Sequence, residues 1–368
     1  MKPDDLTANS ETPDAVRLSG TLAMRNGIAA FHGFPYTFKG LSVDFRFNTE
    51  RLLVENIDGT SASGARLTGS GFISPLGPTS AVDLDLAVSD LTIDDALLAA
   101  LNPARRELVD VLFNEREHAE LLEEGLVRSP DDARPLLDRL DAIAAERVAW
   151  AGTPGIGAGE LGRLAAEEDE IRAKLAERPP FVLGGAAQVD LRFIRDEGIV
   201  SNWTRDVRLH FPEVGFLTSM FPMPAVGTDV RVTIGEDELR LTMDDGRALT
   251  GGAVSIDALM DTSDTAKAAS PDGNTLPVVR VEARGIPIDP LLIRAIAGPE
   301  GGGEPGAADG LPEGLSDDTE TMGPVRLASL LTALGLGGTV DADADLTPNY
   351  AGTKSRLDYT ITPTLNEL

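Results

Sequence analysis

The sequence predicts a mainly β protein made of repeated units of meandering strands, interrupted by a helical insertion. Three observations carry this prediction. A stretch starting at Phe34 returns at Phe221, apolar and polar residues alternate with a period of two in both copies, and 38 Gly and 24 Pro punctuate a chain with only 5% aromatics. Alternation of period two turns one face of a strand toward a core, and dense Gly and Pro suit many turns better than a helical bundle.

Residues 1–16 are polar and acidic and are expected to form a disordered N-terminal segment. The first unit is expected over 17–102. Within it "GFPYTFKGLSVDFRF" (33–47) reads as a Phe-Pro turn followed by a strand with two unlike faces. Phe34 to Gly64 lies over Phe221 to Gly251 without a gap for 31 residues, always 187 positions apart. Phe34-Pro35 matches Phe221-Pro222, Gly40 matches Gly227, Asp58-Gly59 matches Asp245-Gly246, and Gly64 matches Gly251. Val43, Phe45 and Phe47 become Val230, Val232 and Ile234, while Leu52 and Val54 become Leu239 and Leu241. The "NTE" and "GED" between them are turn material, so each copy contains a hairpin.

A second shared block follows at an offset of 195, where "LDLAVSDLTIDDALLAAL" (84–101) overlays "VRVEARGIPIDPLLIRAI" (279–296). Asp94 matches Asp289 just before an apolar run with helical spacing, so both are expected to be helix N-caps. The second unit is therefore expected over 180–297. A third begins within 323–368, after a short helix, at "GLGGTVDADADLTPNYAGTKSRLDYTITP". Repeats of this length predict units that stack and bury hydrophobic faces on their neighbours.

Between the first two units, residues 103–179 are rich in Ala, Leu, Glu and Arg and predict an α-helical insertion. Leu137, Leu140, Ala144 and Val148 form one stripe and Leu161, Leu164, Ile171 and Leu175 another, which suits a helical hairpin. Residues 298–322 read as a flexible Gly/Pro/acidic linker.

A formal charge of −28 argues against nucleic acid and against docking on anionic membrane through basic patches. The chain has no cysteine, which excludes disulfides, cysteine-ligated zinc and thiol nucleophiles. No apolar run approaches the roughly 18 residues of a membrane span.

Candidate chemistry is thin. His32, His118 and His210 lack metal-ligand spacing, and His32 and His210, each near a Phe-Pro, suit a turn or a sheet edge. "GTPGIGAGE" (152–160) lacks the Gly-Lys-Ser/Thr ending of a phosphate loop and reads as an interhelical turn. "DADADLTPN" (341–349) lacks the Gly and distal Glu of a calcium loop and reads as a strand with a wet face. No metal, cofactor or catalytic residue is expected, so the chain is read as a non-enzyme.

The ordered set Gly20 to Leu22, Leu41 to Phe47, Val54 to Gly59 and Arg66 to Gly71 resembles the repeat of the AsmA-like family of TamB- and YhdP-type bacterial envelope proteins. The resemblance covers 17–101 and, more loosely, 181–296; the insertion lies outside the family pattern. It implies an elongated, strongly twisted antiparallel β-sheet shaped as a groove. It further implies a periplasmic location, an inner-membrane anchor through a segment absent from this chain, and a part in phospholipid transfer to the outer membrane or in outer-membrane assembly. Lipid acyl chains are then the expected partners, facing Val43, Phe45, Phe47, Leu52 and Val54 and their counterparts Val230, Val232, Ile234, Leu239 and Leu241. The rival expectation is a non-catalytic scaffold whose sheet face is closed and whose helical insertion binds an envelope protein partner.

Overall fold

A computed structural model describes residues 18–31, 34–101, 106, 109, 110, 112–150, 158–199, 204–218, 222–271, 273, 275–297, 337–350 and 356–366. The expected segments 1–16 and 298–322, and the short helix expected after 323, lie outside the described residues.

Thirteen strands form one antiparallel sheet in which spatial order follows chain order from β1 to β13, and β1 does not pair with β13. The strands are β1 Ser19–Phe31, β2 Phe34–Asn48, β3 Leu52–Ser61, β4 Arg66–Ser74, β5 Ala81–Thr92, β6 Ala186–Arg195 and β7 Thr204–Phe216. They continue as β8 Ala225–Ile234, β9 Glu238–Ala248, β10 Ala253–Asp261, β11 Val278–Pro287, β12 Thr339–Asn349 and β13 Arg356–Asn366. In such a meander successive connections alternate between the two ends of the strands. One end carries α1 (Asp95–Ala100), α2 (Glu115–Glu123), α3 (Pro130–Trp150), α4 (Ala158–Glu177) and α6 (Pro290–Ala297). The other, the hairpin end, carries α5 (Asp264–Ala269) and otherwise only short connections; the first end has short ones too, between β1 and β2, β3 and β4, and β9 and β10.

The units do not stack face to face, as their length suggested. β5 pairs with β6 from Val82↔Arg195 to Thr92↔Ala186, so the second unit continues the sheet of the first edge to edge, across the insertion. Backbone hydrogen bonding, not face packing, is what joins them.

The repeat is preserved in register. Leu22 lies opposite Phe45 and Met24 opposite Val43 between β1 and β2; 187 positions on, Leu209 lies opposite Val232 and Phe211 opposite Val230 between β7 and β8. Each unit also bends at the same place. Asp90 in β5 and Gly285 in β11, 195 positions apart, both have left-handed φ, at +56° and +63°. Both lie within register shifts, Val88 to Leu91 and Ala283 to Ile286. Such a bulge re-aims the chain, and it buries the equivalent residues Leu91 and Ile286.

The caps match their prediction. Asp94 Oδ1 accepts from the Leu97 amide at 2.7 Å, and Asp289 Oδ1 accepts from the Leu292 amide at 2.8 Å. Leu97 then packs against the main core, which spans both units, and Leu292 into a smaller cluster of the second unit.

Two local expectations fail. Phe34–Lys39 is strand, not turn: β2 runs the full 15 residues from Phe34, and Phe38 pairs with Ala29. The neighbouring β1 offers a backbone edge all along it, whereas Pro222, Met223 and Pro224 precede β8 without joining it. On the insertion, Leu137, Val148 and Leu161 are exposed. The expected Leu140, Leu164, Ile171 and Leu175 do pack between α3 and α4, but around Ile143, with Leu136 and Trp150 joining them. Two interleaved stripes had acceptable helical spacing, and the partner helix selected the one containing Ile143. The segment 152–157 lies outside the described residues.

The shared cap predicts a shared cost. Replacing Asp94 by Ala should lower stability by about 1 kcal/mol, while Asp94→Asn should cost a few tenths at most, since either side chain can accept from the helix amides. Urea midpoints of the two variants check this; equal losses would show that the cap is idle.

Candidate functional site: the apolar face of the sheet

Residues opposite one another on neighbouring strands share a face, and the register carries one apolar row across most of the sheet. Met24, Val43, Ile57, Gly69, Leu86, Leu191, Val207, Ile234, Leu239 and Met260 are successive cross-strand neighbours. The adjoining row contains Leu22, Phe45, Val54, Gly71, Leu84 and Phe193. Further along, Val254, Ala283 and Ala342 continue the same face to β12.

Glycine makes part of this surface possible. A Cβ on Gly71 would sit 2.2 Å from the Asp83 carbonyl oxygen and 2.7 Å from Leu84 Cδ2. The bare backbone lets β4 and β5 approach closely while the Leu84 side chain lies across the strand. The Gly-Ser-Gly of β4 thus has a steric reason.

The ten residues expected to line a groove all lie on this face, but in two environments. Val43, Val54 and Val230 are 4%, 6% and 1% exposed and belong to the main core. Phe45, Val232 and Leu241 pack at its margin. Phe47, Leu52, Ile234 and Leu239 lie nearer the hairpin end, outside that packed cluster, and stay half-buried. At the edge strand Leu22 is 60% exposed and Met24 37%.

Closure comes from the helical end. Leu97 and Ala100 of α1 and Phe113 and Phe216, stacked with ring centroids 5.5 Å apart, join the core there. The foot of the insertion is stitched to the sheet as well. Leu121, Val127, Phe181, Leu217 and Leu291 form a second buried cluster spanning α2, the strand ends and α6.

Next to that cluster lies a buried ion-pair cluster. Arg294 of α6, with its side chain 8% exposed, meets Glu117 at 3.0 Å, Glu120 at 3.1 Å and Glu124 at 3.1 Å, all from α2 and the residue that follows it. Burial pushes the Glu117 carboxyl above the usual carboxylate range; Arg294 opposes the rise, and Glu120 and Glu124 add to it. His118, edge-on to the Phe181 ring at 5.5 Å, is lowered by burial, opposed by a hydrogen bond to the Phe181 backbone and the charge of Glu115.

The opposite face is a lattice of ion pairs. Arg46–Glu55 (2.8 Å), Arg192–Asp83 (3.0 Å), Arg240–Asp257 (3.0 Å), Arg280–Asp345 (3.2 Å) and Arg284–Asp343 (2.6 Å) cross between strands. Exposed pairs of this kind contribute little to stability, being screened by solvent; their effect is to keep this face wet. Asp343 and Asp345 are those of the wet strand read from 341–349, and Asp341 accepts from the Gly285 amide at 2.6 Å.

His210 does not lie at a sheet edge or turn. It sits within β7, flanked by β6 and β8, and its Nε2 lies 2.8 Å from Asp229 Oδ1 on the polar face. The nearby Phe-Pro misled, because β7 carries Pro212 without ending. His32 lies outside the described residues. Among the described residues no group of three His, Asp or Glu could hold a metal ion, and no helix is long and apolar enough to cross a membrane. Sequence reasoning missed the Arg294 cluster; its only trace was Glu at 117, 120 and 124, the spacing of one helix face.

No family model, curated protein or solved structure matches the chain. Geometry must speak for the function.

Two predictions follow from the buried charges. Arg294→Met should destabilise by about 3–5 kcal/mol, because Glu117 is left buried without its counter-charge. Adding Glu117→Leu should recover much of that loss, which a urea-melt double-mutant cycle measures. For His118 the folded imidazole binds its proton less readily than the unfolded one. Stability is therefore lost as pH falls below about 6.5 toward the depressed folded value. His118→Leu should remove that part of the slope below pH 6.5, whereas Glu117, with its pKa raised, weakens the fold in the opposite sense as pH climbs above the ordinary carboxylate value.

Proposed function

We propose that this chain is a segment of an AsmA-like envelope protein whose apolar sheet face receives lipid acyl chains. It would carry phospholipid between inner and outer membranes or assist outer-membrane assembly, from an inner-membrane-anchored position in the periplasm. The observation that carries the reading is the continuity of the apolar face over successive strands, combined with its gradient from buried near the helices to half-buried near the hairpins. The ion-paired opposite face fits a surface that receives an apolar ligand on one side only.

Physical chemistry supports such a role. Each acyl methylene withdrawn from water contributes about 0.8 kcal/mol. Repeated rows of similar Val, Leu and Phe side chains offer many comparable contacts and no single deep trap, so a chain can move along them. The shared register of the first and second units makes the surface periodic in the direction of travel. The α3–α4 hairpin takes the role of protein contact in this reading, on the observation that Leu137, Leu161 and Val148 stay exposed on it.

Photo-crosslinking side chains placed at Phe47, Leu52, Ile234 and Leu239 should capture lipid in cells, and those at Asp44 and Arg46 should not. Organic extracts of gently purified protein should contain phospholipid by mass spectrometry. Equal capture on both faces, or a lipid-free extract, would favour the closed scaffold instead.

A further inference from the structure

Repetition within the sheet shows what its first strand is missing. β1 and β7 hold the same place in their units, with Leu22 and Met24 corresponding to Leu209 and Phe211. The far side of β7 is taken by β6, which runs antiparallel and sets Val189 opposite Leu209 and Leu191 opposite Val207. Among the described residues β1 has no such neighbour. Met24 is accordingly 37% exposed where Phe211 is 9%, and Leu22 is exposed where Leu209 is half-buried. Lys and Pro, which commonly guard an open edge, are absent from Ser19–Phe31.

We propose that β1 pairs antiparallel with β1 of a second copy of this chain, joining two sheets into one with a common apolar face. Parity is the first reason. In an antiparallel sheet of thirteen strands, β1 and β13 run in the same direction. Laying β13 beside the β1 of another copy, with both apolar faces on one side, would therefore give a parallel pair. Turning that pair antiparallel would put the two apolar faces on opposite sides. A two-fold axis normal to the sheet gives an antiparallel pair and a single face, but only between like edges. Of the two edges, β13 carries Pro363, which has no N–H to offer a neighbour, and β1 carries no such block.

Charge is the second reason. A net charge of −28 makes copies of the chain repel one another, yet residues 18–31 contain one Arg and no Asp, Glu or Lys. Two copies meet here without setting acid against acid. Register is the third. Centring the pair on Leu22 places Leu22 opposite itself, Gly20 opposite Met24 and Thr21 opposite Ala23, so apolar side meets apolar side. Arg25, already held by Asp44, then faces Ser19 and not its own copy. Asn26, with a left-handed φ of +57°, lies in the register shift that follows Met24 and ends the regular edge there. The pairing depends on this edge alone, whatever occupies the apolar face.

One short strand from each copy makes a small interface, so association in the micromolar range is expected. Sedimentation velocity of the whole chain between about 2 and 200 µM should show monomer and dimer and nothing larger. Leu22→Glu, at an exposed position, should weaken the dimer about tenfold or more while leaving the urea midpoint unchanged. The chain has no cysteine, so Leu22→Cys under mild oxidation should give a disulfide-linked dimer, since opposite residues lie about 4.5–5.5 Å apart at Cβ. Leu76→Cys, exposed between β4 and β5, should cross-link far more slowly. A dimer indifferent to Leu22→Glu, growth into larger species, or equal cross-linking of the two cysteine variants would each overturn the proposal. So would a monomer throughout the range; full protection of 19–25 from hydrogen exchange in that monomer would mean that a segment of the same chain fills the edge.

Discussion

Everything in this molecule depends on a register constraint. In a sheet, shifting a strand by one residue exchanges its two faces, and here thirteen strands in succession must agree on which face is apolar. The agreement is kept through bulges as well as regular pairing. Where β5 and β11 bend, the left-handed Asp90 and Gly285 absorb the extra residue, so that Leu91 and Ile286 still turn inward. The ion pairs of the other face are individually weak, but they make the wrong register expensive: it would bring Arg and Asp side chains onto the apolar side.

The same constraint explains the asymmetry between the two ends. A meander sends every second connection to the same end, so one long insertion and the two capped helices gather there. That end acquires layers of packing and a buried Arg294 held by three carboxylates. The hairpin end carries only α5 and otherwise short connections, and several apolar residues beside them stay half-buried. Openness is thus a consequence of connection length, and it leaves Phe47, Leu52, Ile234 and Leu239 as the part of the face a ligand could reach.

Much of this was legible in the sequence because it is local or periodic. The alternation at Val43, Phe45 and Phe47, its return 187 positions later, and the paired caps at Asp94 and Asp289 all depend on near neighbours. Errors arose where a long-range partner decided. Phe34–Lys39 became strand because β1 lay beside it, His210 was enclosed because β6 and β8 flank β7, and the inward stripe of α3 was chosen by α4. The ten face residues were identified as a set, yet their division into buried and half-buried members was invisible, since a strand's apolar face reads the same under a helix as in the open.

By itself, then, the sequence determined the strand alternation, the repeat, the turns and the helix caps, because each follows from chemistry within a few residues along the chain. Tertiary structure decided that the units join edge to edge, that the insertion folds back onto the second unit through Arg294, and that a second buried cluster forms at that seam. Those outcomes rest on contacts between residues far apart in sequence, such as Arg294 with Glu117 and Leu121 with Leu291 in one buried cluster. Only folding brings them within range, so no local pattern could have announced them.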